Sequence, residues 1–258
     1  MNDFAVRILG PVVHRPLDRP PAPVTGKLAA MLTTLVLYAN RTVAVDVLVE
    51  ALWEADPPRS AVANLRTYAH TLRAAFGPGP VALDSRHGGY VLSVPTGDCD
   101  YLHFGDLVAR GGAALARGEA LAAVEILERA HDVWRSDRAA LGVPRSGPLA
   151  GWLNAVDDER LRTAEHLAEA RIAVGEARIA ARELGMLLAV APLRDRAWRL
   201  KLLAHHRLGE HDAVAATYQA ATSVFRDELG LDPDPRLTLL YRSLIAWEEP
   251  PAVCFTGP

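Results

Sequence analysis

Residues 57–80 read PPRSAVANLRTYAHTLRAAFGPGP, and this stretch decides the fold. Pro57-Pro58 ends whatever precedes it, and Gly77-Pro78-Gly79-Pro80 ends whatever follows, because proline removes a backbone donor and glycine opens turn geometry. Between these stops Ala61, Leu65, Ala69, Leu72 and Phe76 recur at helical spacing, so a helix starting near Arg59-Ser60 turns one face inward. Arg59, Arg66 and Arg73 stand seven residues apart, nearly two turns, and project from similar angles away from that face. Thr67 and His70 flank the stripe, and Asn64 lies near its start. Arginine, asparagine, threonine and histidine are side chains that can serve base edges and phosphates alike.

Upstream, Phe4, Val6 and Ile8 alternate as in a short strand, and Pro11 and the Pro16–Pro23 stretch break it into turns and edge strands. After Gly26 the period changes: Leu28, Met31, Leu32, Leu35 and Ala39 predict a first helix closed by Asn40-Arg41. Val45, Leu48, Val49, Leu52 and Trp53 predict a second. Downstream, Val81 and Leu83, a turn at Ser85–Gly89 and Tyr90-Val91-Leu92 read as a hairpin, with Arg86 and His87 at its tip. Strand ribbon, three helices and hairpin is the order of a winged helix-turn-helix, in which the third helix enters the major groove and the hairpin is the wing. Tyr68 and Trp53 are expected to pack rather than stack on bases.

The charge distribution agrees. The chain sums to −3, yet residues 1–97 hold nine Lys/Arg against seven Asp/Glu, while residues 98–258 hold 19 against 24. From Pro57 to Gly97 the only acid is Asp84, against Arg59, Arg66, Arg73 and Arg86. A local basic strip is what phosphate contact requires, whatever the whole chain sums to.

A domain boundary is expected after residue 97, at Pro95-Thr96-Gly97. From Tyr101 to Glu249 the pattern is helical and repeats. Small or apolar residues fall at the fifth, ninth and twelfth positions after Gly118 (Ala123, Leu127, Ala130), Gly175 (Ala180, Leu184, Leu187) and Gly209 (Val214, Tyr218, Ala221). The last two glycines are 34 residues apart, the tetratricopeptide period, and Leu149–Val174 supplies a longer linking helix. The fold class is therefore mainly α: an α+β winged helix over residues 1–97, then an all-α tetratricopeptide-like domain over 98–258.

Enzyme chemistry finds no constellation. GxxxxGK[ST] and GxSxG motifs are absent. His205, His206 and His211 are the tightest histidine group, but adjacent residues cannot face one helical side, so neither a metal nor a cofactor is expected. Cys99 and Cys254 lack CxxC spacing and read as idle thiols of a reducing cytosol. The acidic run Asp157-Asp158-Glu159 reads as a solvated surface. No apolar run approaches the length of a membrane span.

The motifs together resemble the Streptomyces antibiotic regulatory proteins. The resemblance runs through Arg7-Ile8-Leu9-Gly10-Pro11, Gly26-Lys27, Ala39-Asn40-Arg41, Leu52-Trp53, Pro57–Ala61, Asn64–Tyr68, Leu72-Arg73, Gly89-Tyr90, Pro192-Leu193-Arg194 and Glu228–Pro233. It implies an OmpR-like winged helix and a bacterial transcriptional activation domain, in a cytoplasmic, nucleoid-associated activator of a secondary-metabolite gene cluster. Such an activator binds direct repeats near the −35 element of double-stranded promoter DNA, as a side-by-side dimer, and contacts RNA polymerase including its sigma factor. The absence of a nucleotide-binding extension before Pro258 implies a stand-alone member. Thr71 and Ala74 stand where family members often carry arginine. The competing expectation is a helical-repeat interaction module whose winged domain no longer binds DNA.

Overall fold

The computed structural model describes residues 4–15 and 20–246, so part of the proline-rich stretch and Cys254 lie outside the described residues. By contact the chain divides into two compact units: residues 1–109 with 129–160, and residues 110–128 with 161–258. The sequence reading expected a single cut after residue 97.

In the first unit β1 (Val6–Arg7), β2 (Val13–His14) and β3 (Ala22–Pro23) form an antiparallel ribbon in that order. Three helices follow: α1 (Gly26–Leu37), α2 (Val45–Trp53) and α3 (Ala61–Phe76). β4 (Thr42–Ala44) sits between α1 and α2, and a second sheet runs β4-β6-β5, with β5 at Ala82–Arg86 and β6 at Gly89–Ser93. The sequence reading missed β4: three residues carry no period, and their partners, Thr42↔Val91, Val43↔Tyr90 and Ala44↔Gly89, lie far along the chain.

Asn40 makes that sheet possible. It adopts φ 63° after α1, a left-handed conformation asparagine tolerates. Its side chain donates to Val94 O and accepts from Val94 N, both at 3.0 Å. The core is built from Met31, Leu32 and Leu35 of α1, Leu48 of α2, Leu65 and Leu72 of α3 and Leu92 of β6, all fully buried. Each such side chain contributes ~1.5–3 kcal/mol relative to exposure.

A buried carboxylate fastens the N-terminal ribbon. Asp100, at the start of α4 (Asp100–Ala116), accepts from Ile8 N (2.9 Å), Leu9 N (2.9 Å) and Tyr101 N (2.7 Å). Burial pushes this carboxyl up to about 6, against the pull of the three N–H groups and of Arg7. Burial also pushes the neighbouring Cys99 thiol up to about 12, a poor nucleophile in a sealed site.

Residues 129–160 complete this unit through the loop after α5 (Ala120–Val133) and the first half of α6 (Gly147–Ala173). Ala140 N donates to Ile8 O (2.6 Å), Leu141 N to Gly10 O (2.8 Å) and Arg135 N to Leu9 O (2.9 Å). The acidic run is not simply a solvated surface, as the sequence suggested. Asp157 accepts from Ala139 N and lies 2.7 Å from Arg145 Nη2, with its side chain 20% exposed.

In the second unit most of the repeat positions fall in the core. Ala123 and Leu127 pack with Ala114, Leu167 and Ala170. Gly111 allows that approach, since a β-carbon there would lie 2.5 Å from Leu127 Cδ2. The other cluster joins α7 (Ala177–Val190), α8 (Asp195–Arg207), α9 (His211–Leu229) and α10 (Pro235–Ala246) through Ala180, Leu184 and Leu187, Leu202, Val214 and Ala221, and Leu237 and Leu240. Consecutive helices pack as the helical hairpins of a repeat array. Buried charges meet partners here: Glu165, 2% exposed, accepts from Arg194 Nε (2.7 Å) and Nη2 (3.1 Å). Arg171 is shared by Glu128 (2.6 Å) and Glu183. Among the described residues no helix is long and apolar enough to cross a membrane.

Candidate nucleic-acid interface

The third helix buries the face its sequence indicates: Ala61, Leu65, Ala69, Leu72 and Phe76 are all inside. Opposite them Ala63, Arg66, Thr67, His70 and Ala74 are exposed along one stripe. Arg66, Thr67 and His70 are thus flanked by small residues, which lets a helix approach another surface closely. Thr67 Oγ1 donates to Ala63 O at 3.2 Å, and this bond fixes the hydroxyl while leaving its lone pairs outward.

The other expected residues fall into three settings. Arg59 is exposed but lies in the turn before α3, so the seven-residue spacing holds on the helix only for Arg66 and Arg73. Asn64 is half-buried and its amide donates to Ser60 Oγ at 3.3 Å, at the helix start. Arg86 and His87 are exposed at the tip of the β5–β6 hairpin. His87 (φ 38°) and Gly88 (φ 78°) form its two-residue turn, with left-handed torsions that match the twist of the strands.

Arg73 is the residue whose seat the sequence did not reveal. Its Nε donates to Leu83 O and its Nη2 to Ser85 Oγ, both at 2.7 Å, and its guanidinium lies 6.0 Å from the Tyr90 ring centroid. It spans α3 and the hairpin and fixes the wing relative to the helix. No signal in the sequence connects positions ten and twelve residues apart across a turn.

The aromatic pair behind the helix behaves as expected of packing residues. Trp53 of α2 stacks on Tyr68 of α3 with centroids 6.5 Å apart and 19° between planes. Lys27 lies over the Trp53 ring at 5.9 Å and donates to Leu52 O. The angle between α2 and α3 is thereby braced on both sides of Trp53.

A winged helix followed by stacked helical hairpins is the arrangement described above, and fold by itself does not assign a function. The family model for the bacterial transcriptional activator domain matches residues 99–245. Regulatory protein AfsR of Streptomyces coelicolor is 35% identical over 218 residues, 84% of this chain and 22% of that protein. Regulatory protein DnrI of Streptomyces peucetius is 27% identical over 262 residues, 98% of this chain and 95% of that protein. The solved structure of EmbR from Mycobacterium tuberculosis, in complex with a low-affinity phosphopeptide, superposes with a TM-score of 0.88 at 29% identity, covering 95% of this chain and 66% of that one. The chain belongs to the bacterial transcriptional activator domain family, as a regulator of the Streptomyces antibiotic regulatory protein type. It spans about a fifth of the length of AfsR.

Proposed function

We propose that this protein is a sequence-specific DNA-binding activator of a secondary-metabolite gene cluster. In this reading α3 lies in the major groove, where Arg66 and His70 meet base edges and Thr67 a base edge or phosphate. Arg59, at the helix start, and Arg86 and His87, on the wing, meet the sugar-phosphate backbone. Asn64 shapes the helix start, and Arg73 sets the wing at its working distance while adding positive charge. The observation that carries the proposal is the exposed Arg66-Thr67-His70 stripe, backed by a buried face and braced against a hairpin with Arg86 and His87 at its tip.

Residues 1–97 supply these contacts, and residues 98–258 serve as the activation domain that engages RNA polymerase and its sigma factor. Two protomers sit side by side on direct repeats near the −35 element. Repeats about one helical turn apart would place both on one face of the duplex.

A DNase footprint on the upstream regions of neighbouring operons tests this. Protection of a direct repeat, lost with rising salt as phosphate contacts demand, is the expected result. A protein that forms stable protein complexes but leaves no footprint at low salt would sink the DNA-binding reading in favour of an interaction module.

A further inference from the structure

The first compact unit contains a cavity of about 680 Å³ that shares no residue with α3 or the hairpin. Its volume lies in the range of small-molecule sites. Arg129, Arg135 and Arg160 all line it. Several arginines of the chain meet carboxylates, as Arg145 meets Asp157, Arg171 meets Glu128 and Arg194 meets Glu165. Among the described residues the three cavity arginines have no ion pair. Arg160 instead lies over the Trp134 ring, 5.4 Å from its centroid, and reaches Asp137 O at 3.4 Å.

The rest of the lining points the same way. His103 and His131 add imidazoles, and Asp132 is the only acid among the lining residues. Trp134 Nε1 and Arg160 Nε are buried donors with no hydrogen-bond partner in the protein, and such donors favour an acceptor brought by a ligand. The loop carrying Arg135 is preformed, because its backbone is stitched to Ile8, Leu9 and Gly10 by the three bonds described above. Gly10 permits this: it takes φ +138°, and a β-carbon there would stand 3.0 Å from Arg135 Cβ.

We propose that this cavity binds a small molecule through a diphosphate group. Three unpaired guanidinium groups exceed what one carboxylate can neutralise, and their planar forks match phosphoryl oxygens two at a time. Trp134 offers an apolar wall to whatever the diphosphate carries. A ligand held here bridges the N-terminal ribbon and the 129–160 segment, so its binding stabilises the unit that also carries α3.

Thermal unfolding of the full chain at fixed ionic strength, with inorganic pyrophosphate, ADP and citrate in parallel, tests the site. Pyrophosphate or ADP should raise the melting temperature saturably, by about 3 °C or more, as expected when a ligand binds only the folded state. A lower half-saturating concentration for ADP assigns the ligand to the nucleotides, and equal values assign recognition to the diphosphate alone. Arg129→Gln with Arg135→Gln should raise the half-saturating concentration at least about tenfold. Arg66→Ala, on the α3 stripe, should leave it unchanged. Arg129 and Arg135 are both exposed, so the double variant is expected to fold, and its unliganded melting curve verifies this. Should it fail to fold, Arg129→Gln alone carries the same test. The proposal is overturned if neither phosphate shifts the curve, if citrate shifts it as much, if the cavity variant binds unchanged, or if Arg66→Ala abolishes the shift. It also fails if the cavity variant loses a DNase footprint while pyrophosphate never binds, since the cations would then serve the duplex.

Discussion

Gly88 and Gly89 are adjacent at the wing turn, and the structure assigns them different costs. A β-carbon at Gly89 would be driven into the Val43 carbonyl oxygen, and would stand 2.9 Å from Val43 C and 3.1 Å from Ala44 Cα. Carbon atoms need about 3.5 Å or more, so Gly89→Ala forces β4 and β6 apart by ~0.5–1 Å. That displacement carries ladder bonds near 2.9 Å to or past the limit of a hydrogen bond. The pairs Ala44↔Gly89 and Val43↔Tyr90 and the 3.1 Å bond from Val45 N to Gly88 O are the ones exposed to it. Two or three bonds at ~1 kcal/mol each, with the accompanying loss of packing, give about 2–4 kcal/mol. For a unit of this size the melting temperature falls by roughly 10 °C. Gly88 has nothing within 4 Å of the same virtual atom, only φ +78°. Gly88→Ala therefore costs only the left-handed backbone penalty, ~1–2 kcal/mol, and Gly88→Asn recovers most of it. Thermal unfolding of the three variants, with a gel shift on the footprinted repeat, separates the two mechanisms. An alanine at 89 as stable as one at 88 would show that the sheet yields freely, and the steric argument would be wrong.

Four further outcomes are expected. Arg66→Ala should relax discrimination at one base pair by ~1–3 kcal/mol if its guanidinium is bidentate to a base, measured by gel shift on mutated sites; equal loss on every sequence would reassign it to phosphate. Arg73→Ala should weaken binding across sequences, lower the salt slope by about one and shorten the protease lifetime of the hairpin, because the side chain that holds Leu83 O and Ser85 Oγ is gone; an unchanged hairpin lifetime would deny it the bracing role. Asp100 is raised from its ordinary 3.8 to about 6 in the folded chain. Its contribution to stability is therefore full below pH 3.8 and is lost as pH rises through about 6, a difference of about 3 kcal/mol. Asp100→Asn should remove this pH dependence from denaturant midpoints between pH 4 and 7, and a carboxyl titrating near 4 by NMR would refute the assignment. In the second unit Glu165→Ala should cost about 3 kcal/mol by stripping Arg194 of its bidentate partner, with denaturant unfolding as the measurement.

What the sequence disclosed was local periodicity, and what it withheld was contact at long range. The inward faces of α3 and of the repeat helices follow from spacing, and the structure buries Leu65, Leu72, Leu127, Leu184 and Val214 as that spacing requires. The hairpin follows because Gly88-Gly89 is a turn signal between alternating residues. β4 was illegible because its three residues gain strand geometry only from β6. The capture of Arg73 by the hairpin, the seat of Asp100 beneath Ile8 and Leu9, and the return of residues 129–160 to the first unit all join residues distant in sequence. Periodicity cannot encode such pairings. The candidate interface was legible as residue types, while the division of labour among them, Arg66 outward and Arg73 toward the wing, is set by the hairpin's Leu83 O and Ser85 Oγ.

The stitching of Ile8, Leu9 and Gly10 to Asp100, Arg135, Ala140 and Leu141 bears on how such regulators can be recombined. A hybrid joining residues 1–97 to a foreign activation domain inherits the whole α3 stripe and wing, yet leaves its first strand with backbone donors and acceptors that belonged to later segments. Exchange of DNA specificity between relatives is therefore cheaper by swapping residues within α3 than by grafting the N-terminal segment entire. A graft that keeps its own residues through 160 carries its anchors with it.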